Sequence, residues 1–257
     1  MSASSPNVIV LLSNAAYSRN CLMTIRGCRR AGNYTGDIVV LVDDEMPDDF
    51  LEEAEQFGAI IRHYDPINIE PILSKIREHP FTCTDGRELT KQIQWQKLNI
   101  FDVYFKQWEK IFYMDAGMHV MGDIAIFFDL VRPGIVLAHC DDFPEYSANL
   151  AGQFDRLSQP DIFKELSEKY RLDRQCFQTG ILLFESSMLG PTTVREIMDL
   201  AYRYPISRTN EQGILNLYFC ESLRQVPIYT GGKFLYDYWE RFGHTRNEYL
   251  LLKYPIT

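Results

Sequence analysis

Three short apolar runs near the start of the chain, separated by amphipathic segments, leave few folds open. Asn7–Ser13 (NVIVLLS) is continuously apolar rather than alternating, and Pro6 and Asn14 bound it. That pattern predicts a strand covered on both faces, as in a parallel sheet. Residues 17–31 carry Cys21, Leu22, Ile25 and Cys28 at helical spacing, with Gly32 expected as the C-cap. Asp37–Val42 (DIVVLV) predicts a second strand, residues 48–57 a helix after Pro47, and Ala59–Tyr64 a third strand. Strand, helix, strand, helix, strand is the order of a doubly wound mononucleotide-binding half.

Downstream, residues 79–90 read as a loop. Residues 91–108 read as one amphipathic helix with Leu98, Phe101, Phe105 and Trp108 on a single face. Lys110–Met114, Gly134–His139 and Gly180–Glu185 are expected as further strands, residues 141–160 as a substrate-side loop, and helices near 191–203 and 209–221. No repeat or linker interrupts the pattern, so the expectation is one α/β domain over residues 1–257, with a mixed, mostly parallel sheet.

Charge narrows the partners. Acidic groups outnumber basic ones 35 to 26, a formal net charge of −9, which disfavours nucleic acid or anionic lipid as the main partner. No apolar run reaches the ~20 residues of a membrane span. The start lacks the basic segment of a signal peptide, and the six cysteines form no CxxC pair. A protein of a reducing, cytoplasmic compartment is expected.

Ligands of open α/β sheets bind beyond the carboxyl ends of the strands. Three expected strands deliver polar groups there: Ser13-Asn14-Ala15-Ala16-Tyr17, Asp115-Ala116-Gly117-Met118-His119, and His139-Cys140-Asp141-Asp142. Such a set suits a nucleotide, with an aromatic ring for the base and carboxylates for a cation on phosphate. Continued strand alternation would put residues 115, 117 and 119 on one face.

KLNIFDVYFKQWEKIFYMDAGMHVMGDI resembles the core of nucleotide-sugar glycosyltransferases of glycosyltransferase family 8, the glycogenin-like family. VIVLLSNAAY, FQTGILLFESS and NEQGILNLYF resemble three more of its motifs, in the family's order over residues 8 to 219. The resemblance implies a GT-A fold, a donor that is usually a UDP-sugar, Mn²⁺ or Mg²⁺, a glycan or glycosylated-protein acceptor, and transfer with retention of configuration.

One position departs from the family pattern. Asp115 matches the first aspartate of its Asp-x-Asp, but Gly117 stands where the second belongs. Three outcomes stay open: a metal held by Asp115 with His244 or water, weak metal dependence, or lost catalysis. The family's C-terminal histidine motif has only a poor counterpart in Phe242-Gly243-His244-Thr245. His119 is expected to be structural.

The remaining assignments follow the resemblance residue by residue. Ser13, Asn14 and Tyr17 match the uridine-side loop, although the same residues also read as an N-cap and a helix-start tyrosine. Lys97 matches a phosphate- or sugar-contacting lysine and equally reads as a solvated one. Asp115, Ala116 and Gly117 line the diphosphate side, while Gln178 and Thr179 replace an Asn-Ser pair. Asp141 and Asp142 match an acidic sugar-binding position, or cap a turn. Glu211 and Gln212 replace Asp-Gln, the glutamine lying beneath the reacting sugar, where its amide oxygen would steady an oxocarbenium ion. A nucleotidyltransferase is disfavoured because residues 13–26 contain no glycine. A catalytically impaired nucleotide- or glycan-binding domain is the alternative.

Overall fold

The computed structural model describes residues 5–81, 92–140, 147–226, 230–231 and 250–253. The first half follows the expected order, β1 (Asn7–Ser13), α1 (Ser18–Arg30), β2 (Asp37–Val42), α2 (Asp48–Gln56) and β3 (Ala59–His63), and then adds a helix the sequence reading did not anticipate, α3 (Glu70–Glu78). Then come α4 (Gln92–Gln96), β4 (Lys110–Met114), β5 (Met118–Val120), α5 (Ile126–Leu130), β6 (Val136–Cys140) and α6 (Pro160–Lys169). The described chain closes with β7 (Phe177–Glu185), α7 (Thr193–Arg203), α8 (Glu211–Tyr218), β8 (Leu223–Gln225), β9 (Thr230–Gly231) and β10 (Leu251–Lys253).

A 7-stranded sheet in the order β3-β2-β1-β4-β7-β6-β8 organises the molecule. Every strand in it runs parallel to its neighbour except β7, which is antiparallel to both β4 and β6. A 3-stranded sheet, β5-β10-β9, stands apart from it. The unbroken apolar character of β1 now has its reason. Val8, Val10 and Leu12 enter the core on one face, and Ile9 and Leu11 enter the core on the other. A strand covered twice has no solvent face to mark with polar residues.

Four expectations need correction. Residues 91–108 do not form one helix: α4 is followed by two 3₁₀ helices, Lys97–Phe101 and Val103–Gln107, broken at Asp102. The extended Asp102 uses its carboxylate to accept from the Tyr104 backbone N–H at 2.8 Å. Leu98 and Phe101, like Phe105 and Trp108, stand three apart, a spacing that serves a 3₁₀ turn as well as an α-turn. All four are buried, and the Trp108 indole donates to Asp37 Oδ2 at 2.7 Å. The second correction concerns β7, which begins at Phe177, so Gln178 and Thr179 sit inside the strand.

The third is Gly32. The left-handed residue after α1 is Asn33 (φ 48°), and Gly32 is needed because a Cβ there would lie 2.7 Å from the Cys28 carbonyl oxygen. The last is the alternation of residues 115, 117 and 119. β4 stops at Met114, a turn follows, and His119 belongs to β5 in the other sheet, opposite Leu252.

Candidate active site

β4 ends in the middle of the large sheet, and Asp115 is the first residue past it. Its N–H donates to the Gly180 carbonyl at 2.9 Å, tying the strand end to β7. Its Oδ1 accepts the Tyr113 hydroxyl at 2.7 Å. A Cβ on Gly180 would stand 3.1 Å from Asp115 Oδ2, so the glycine makes room for the carboxylate.

Lys97 meets this carboxylate from the first 3₁₀ helix. Its ammonium lies 2.8 Å from Glu211 Oε1 and 3.3 Å from Asp115 Oδ1, and it donates to Thr179 Oγ1 at 3.1 Å. The Thr179 hydroxyl in turn donates to Glu211 Oε1 at 2.9 Å. The Lys97 side chain is 6% exposed, so it is not a solvated lysine. Burial alone would push its pKa down. The charges of Asp115 and Glu211 more than offset that and hold the pKa above the usual lysine value. Burial, and then Asp115, keep the Tyr113 phenol protonated well above its ordinary range.

Glu211 opens α8, where the helix dipole favours a carboxylate. The residue before it, Asn210, takes φ 53° and ψ −124°, a left-handed backbone that asparagine rarely adopts. The Ser207 hydroxyl, donating to the Asn210 carbonyl at 2.7 Å, and a side-chain hydrogen bond from Asn210 to Gln94 hold it there. Glu211 itself points inward, its side chain buried. Its Oε1 is fully engaged, whereas its Oε2 is buried without a hydrogen-bond partner among the described residues. Gln212 follows, half-buried, its amide N–H donating to Gln153 Oε1 at 3.0 Å. Gln153 also accepts the Thr209 hydroxyl at 2.6 Å, which orients it. With its nitrogen committed, Gln212 has its carbonyl oxygen to present to a ligand.

Gly117 sits in the turn after Asp115 with φ 95°. Its N–H donates to Thr24 Oγ1 at 3.1 Å, and Thr24 donates onward to the Met118 carbonyl at 3.0 Å, clamping the turn to α1. The nearest atom to a Cβ at this position is 3.8 Å away, so backbone conformation rather than space disfavours an aspartate. Ala116 is half-exposed in the same turn.

In the loop that follows β1, Ser13 is fully buried and its hydroxyl donates to the Asn14 carbonyl at 3.2 Å. Asn14 caps the 3₁₀ turn Ala15–Tyr17 by accepting the Tyr17 N–H at 3.3 Å, and Tyr17 is half-buried at the start of α1. The cap reading of this loop is what the structure displays, with Tyr17 held at the strand edge. Gln178, half-buried, lies opposite His139 on β6. Asp141, Asp142 and His244 lie outside the described residues.

The divalent ion implied by the resemblance does not find a cage here. Among the described residues no group of three His, Cys, Asp or Glu is placed to hold one. Asp115 Oδ1 already serves Tyr113 and Lys97, and Gly117 adds no ligand.

Sequence reasoning missed Tyr113, Gln153, Asn210 and Gly180 as parts of this site. Tyr113 had a signal, being two residues before Asp115 and so on its face of the strand. Gln153 had none, because it reaches Gln212 from 59 residues away.

A family model described as Glycosyl transferase family 8 matches residues 8–229. Galactinol synthase 7 of Arabidopsis thaliana is 22% identical over 227 residues, covering 86% of this chain and 63% of that protein. Galactinol synthase 2 of the same plant is 24% identical over 229 residues, covering 86% and 62%. The chain thus spans less than two thirds of these relatives' length. Among solved structures, the galactosyltransferase LgtC, in complex with donor and acceptor sugar analogs, superposes with a TM-score of 0.63 at 15% identity, covering 96% of this chain and 86% of that one. The glycosyltransferase GlyE of Streptococcus pneumoniae TIGR4 does so with a TM-score of 0.60 at 17% identity, covering 99% and 55%. The fold is that of the GT-A glycosyltransferases.

Proposed function

The chain belongs to glycosyltransferase family 8, and from that premise we propose that it moves a sugar from a nucleoside-diphosphate sugar, a UDP-sugar first, to a glycan or glycosylated-protein hydroxyl, with retention. The observation that carries this reading is Glu211 Oε2, a buried acceptor without a donor among the described residues. An unsatisfied buried carboxylate oxygen costs free energy until a ligand supplies a hydrogen bond, and a sugar hydroxyl does so.

Glu211 grips the sugar, and Lys97 and Thr179 hold Glu211. Gln212 turns its amide oxygen toward the anomeric carbon as positive charge develops there, a role that strengthens in the transition state. Retention then follows from attack on the face that the diphosphate leaves. Glu211 Oε1 is engaged by Lys97 and Thr179, which argues against that oxygen as a covalent nucleophile. In the family a divalent ion supplies charge neutralisation to the leaving diphosphate. The described residues do not fit a resident ion, and the roles above do not depend on one.

Gly117 favours a second reading, a domain that binds nucleotide or glycan without turnover. A panel of UDP- and GDP-sugars, assayed for hydrolysis and transfer beside calorimetric binding, separates the two. Turnover of one donor supports the transferase, and binding without turnover supports the binding domain. The names galactinol synthase and galactosyltransferase make a galactosyl donor the first to try. The buried cysteines Cys21 and Cys28, neither in a disulfide, fit a reducing compartment such as the cytoplasm. No described helix is long and apolar enough to cross a membrane.

A further inference from the structure

A second buried acceptor lies at the same sheet edge, away from the Lys97 cluster. Asp43 is the first residue past β2, and Val42 pairs with Ser13 at the end of β1, so Asp43 stands beside the Asn14–Tyr17 loop. Its Oδ1 is buried and has no hydrogen-bond partner among the described residues. Its neighbour Asp44, by contrast, is 90% exposed and faces His63 Nδ1 at 3.0 Å. Continuing the alternation of β2 puts Asp43 on the face of Val39 and Leu41, the face on which Tyr64 also packs. The Tyr64 N–H donates to the Val42 carbonyl at 3.2 Å, and burial followed by the charge of Asp43 holds the Tyr64 phenol up at about 12. Burial likewise holds the Asp43 carboxyl above its ordinary value, which the backbone N–H of Glu45 offsets only in part.

We propose that Asp43 reads the nucleoside of the donor by accepting a hydrogen bond from the uracil imide N–H or from a ribose hydroxyl. The inference rests on the nucleotide-sugar reading above and extends it to a residue outside the motifs that carry the resemblance. Three observations converge on it. The acceptor is built, buried and unmet. The Asn14 side-chain oxygen next to it already accepts from the Tyr17 N–H. In addition, one strand separates β2 from β4, which puts Asp43 about 10 Å from the end of β4. A nucleoside diphosphate bridges that interval with its base at β2 and its sugar at Glu211. A carboxylate following the second strand is also how dinucleotide-binding folds hold a ribose hydroxyl.

The test is calorimetric binding of UDP, N3-methyl-UDP and 2′-deoxy-UDP to the wild-type chain and to Asp43→Ala. Wild type is expected to bind one of the two analogues about tenfold or more weakly than UDP, the scale of one hydrogen bond to a charged group. Asp43→Ala is expected to bind UDP about as weakly and to lose that discrimination. The isosteric Asp43→Asn, which keeps the shape and removes the charge, replaces it if the alanine variant does not fold. UDP affinity unchanged in the variant, or discrimination retained, overturns the role of Asp43 while leaving the donor reading intact. A wild-type chain that binds no uridine nucleotide overturns both.

Discussion

Lys97 illustrates how much one residue's meaning depends on its neighbours. A buried ammonium between two carboxylates is a network whose members cannot be removed singly without exposing a partner. Lys97→Met leaves Asp115 and Glu211 facing each other without a cation, and is expected to destabilise the fold by about 3–5 kcal/mol in urea unfolding. The double variant with Glu211→Gln should recover a large part of that loss; additive losses would mean that the pair is not coupled. The sign of the pH dependence follows from the raised pKa. The stabilisation is complete below the unfolded lysine value of 10.5 and fades only as pH rises through the still higher folded value. Wild type and Lys97→Met should therefore keep a constant stability difference across neutral pH. Gln212→Ala is expected to lower kcat by about 10²-fold with little change in KM, because its oxygen acts on charge that exists in the transition state. A change confined to KM would make Gln212 a substrate holder only.

Among the elements, the ends matter more than the spans. β4 and β7 are held in register from Lys110↔Glu185 to Met114↔Ile181, and the site begins one residue beyond that ladder. Gly180→Ala tests the junction. The added Cβ meets Asp115 Oδ2 at 3.1 Å, so the carboxylate must yield while the strand pairing stays intact. Turnover should fall at least tenfold with far-ultraviolet circular dichroism unchanged, and unimpaired turnover would show that Asp115 has room to move. The break at Asp102 has a similar logic. It lets the aromatic segment place Lys97 at one end and the Trp108 indole on Asp37 at the other. Asp102→Ala removes a cap and is expected to cost about 1 kcal/mol in the same urea assay, with Lys97 still in place.

For the molecule as a whole, the open question is charge. Lys97, Asp115 and Glu211 sum to one excess negative charge, in a chain with a formal net charge of −9, at a place proposed to meet a diphosphate. With no group of three ligands among the described residues, Mn²⁺ titrated into nucleotide-free protein is expected to show no saturable site by calorimetry. A saturable site would point to ligands beyond the described residues, His244 first. The strand–helix order, the doubly covered β1 and the position of Asp115 were all legible along the chain, because apolar periodicity is local and a strand's end follows from where its run stops. The partners of Lys97 were not legible, since Thr179 lies 82 residues further on and Glu211 another 32. Nor was the turn at Gly117, where alternation on paper gives way to a left-handed backbone clamped by Thr24. Local pattern determines which segments become strands and helices. Only packing decides which polar side chains share a buried volume, and there each charge must find a counter-charge or a ligand.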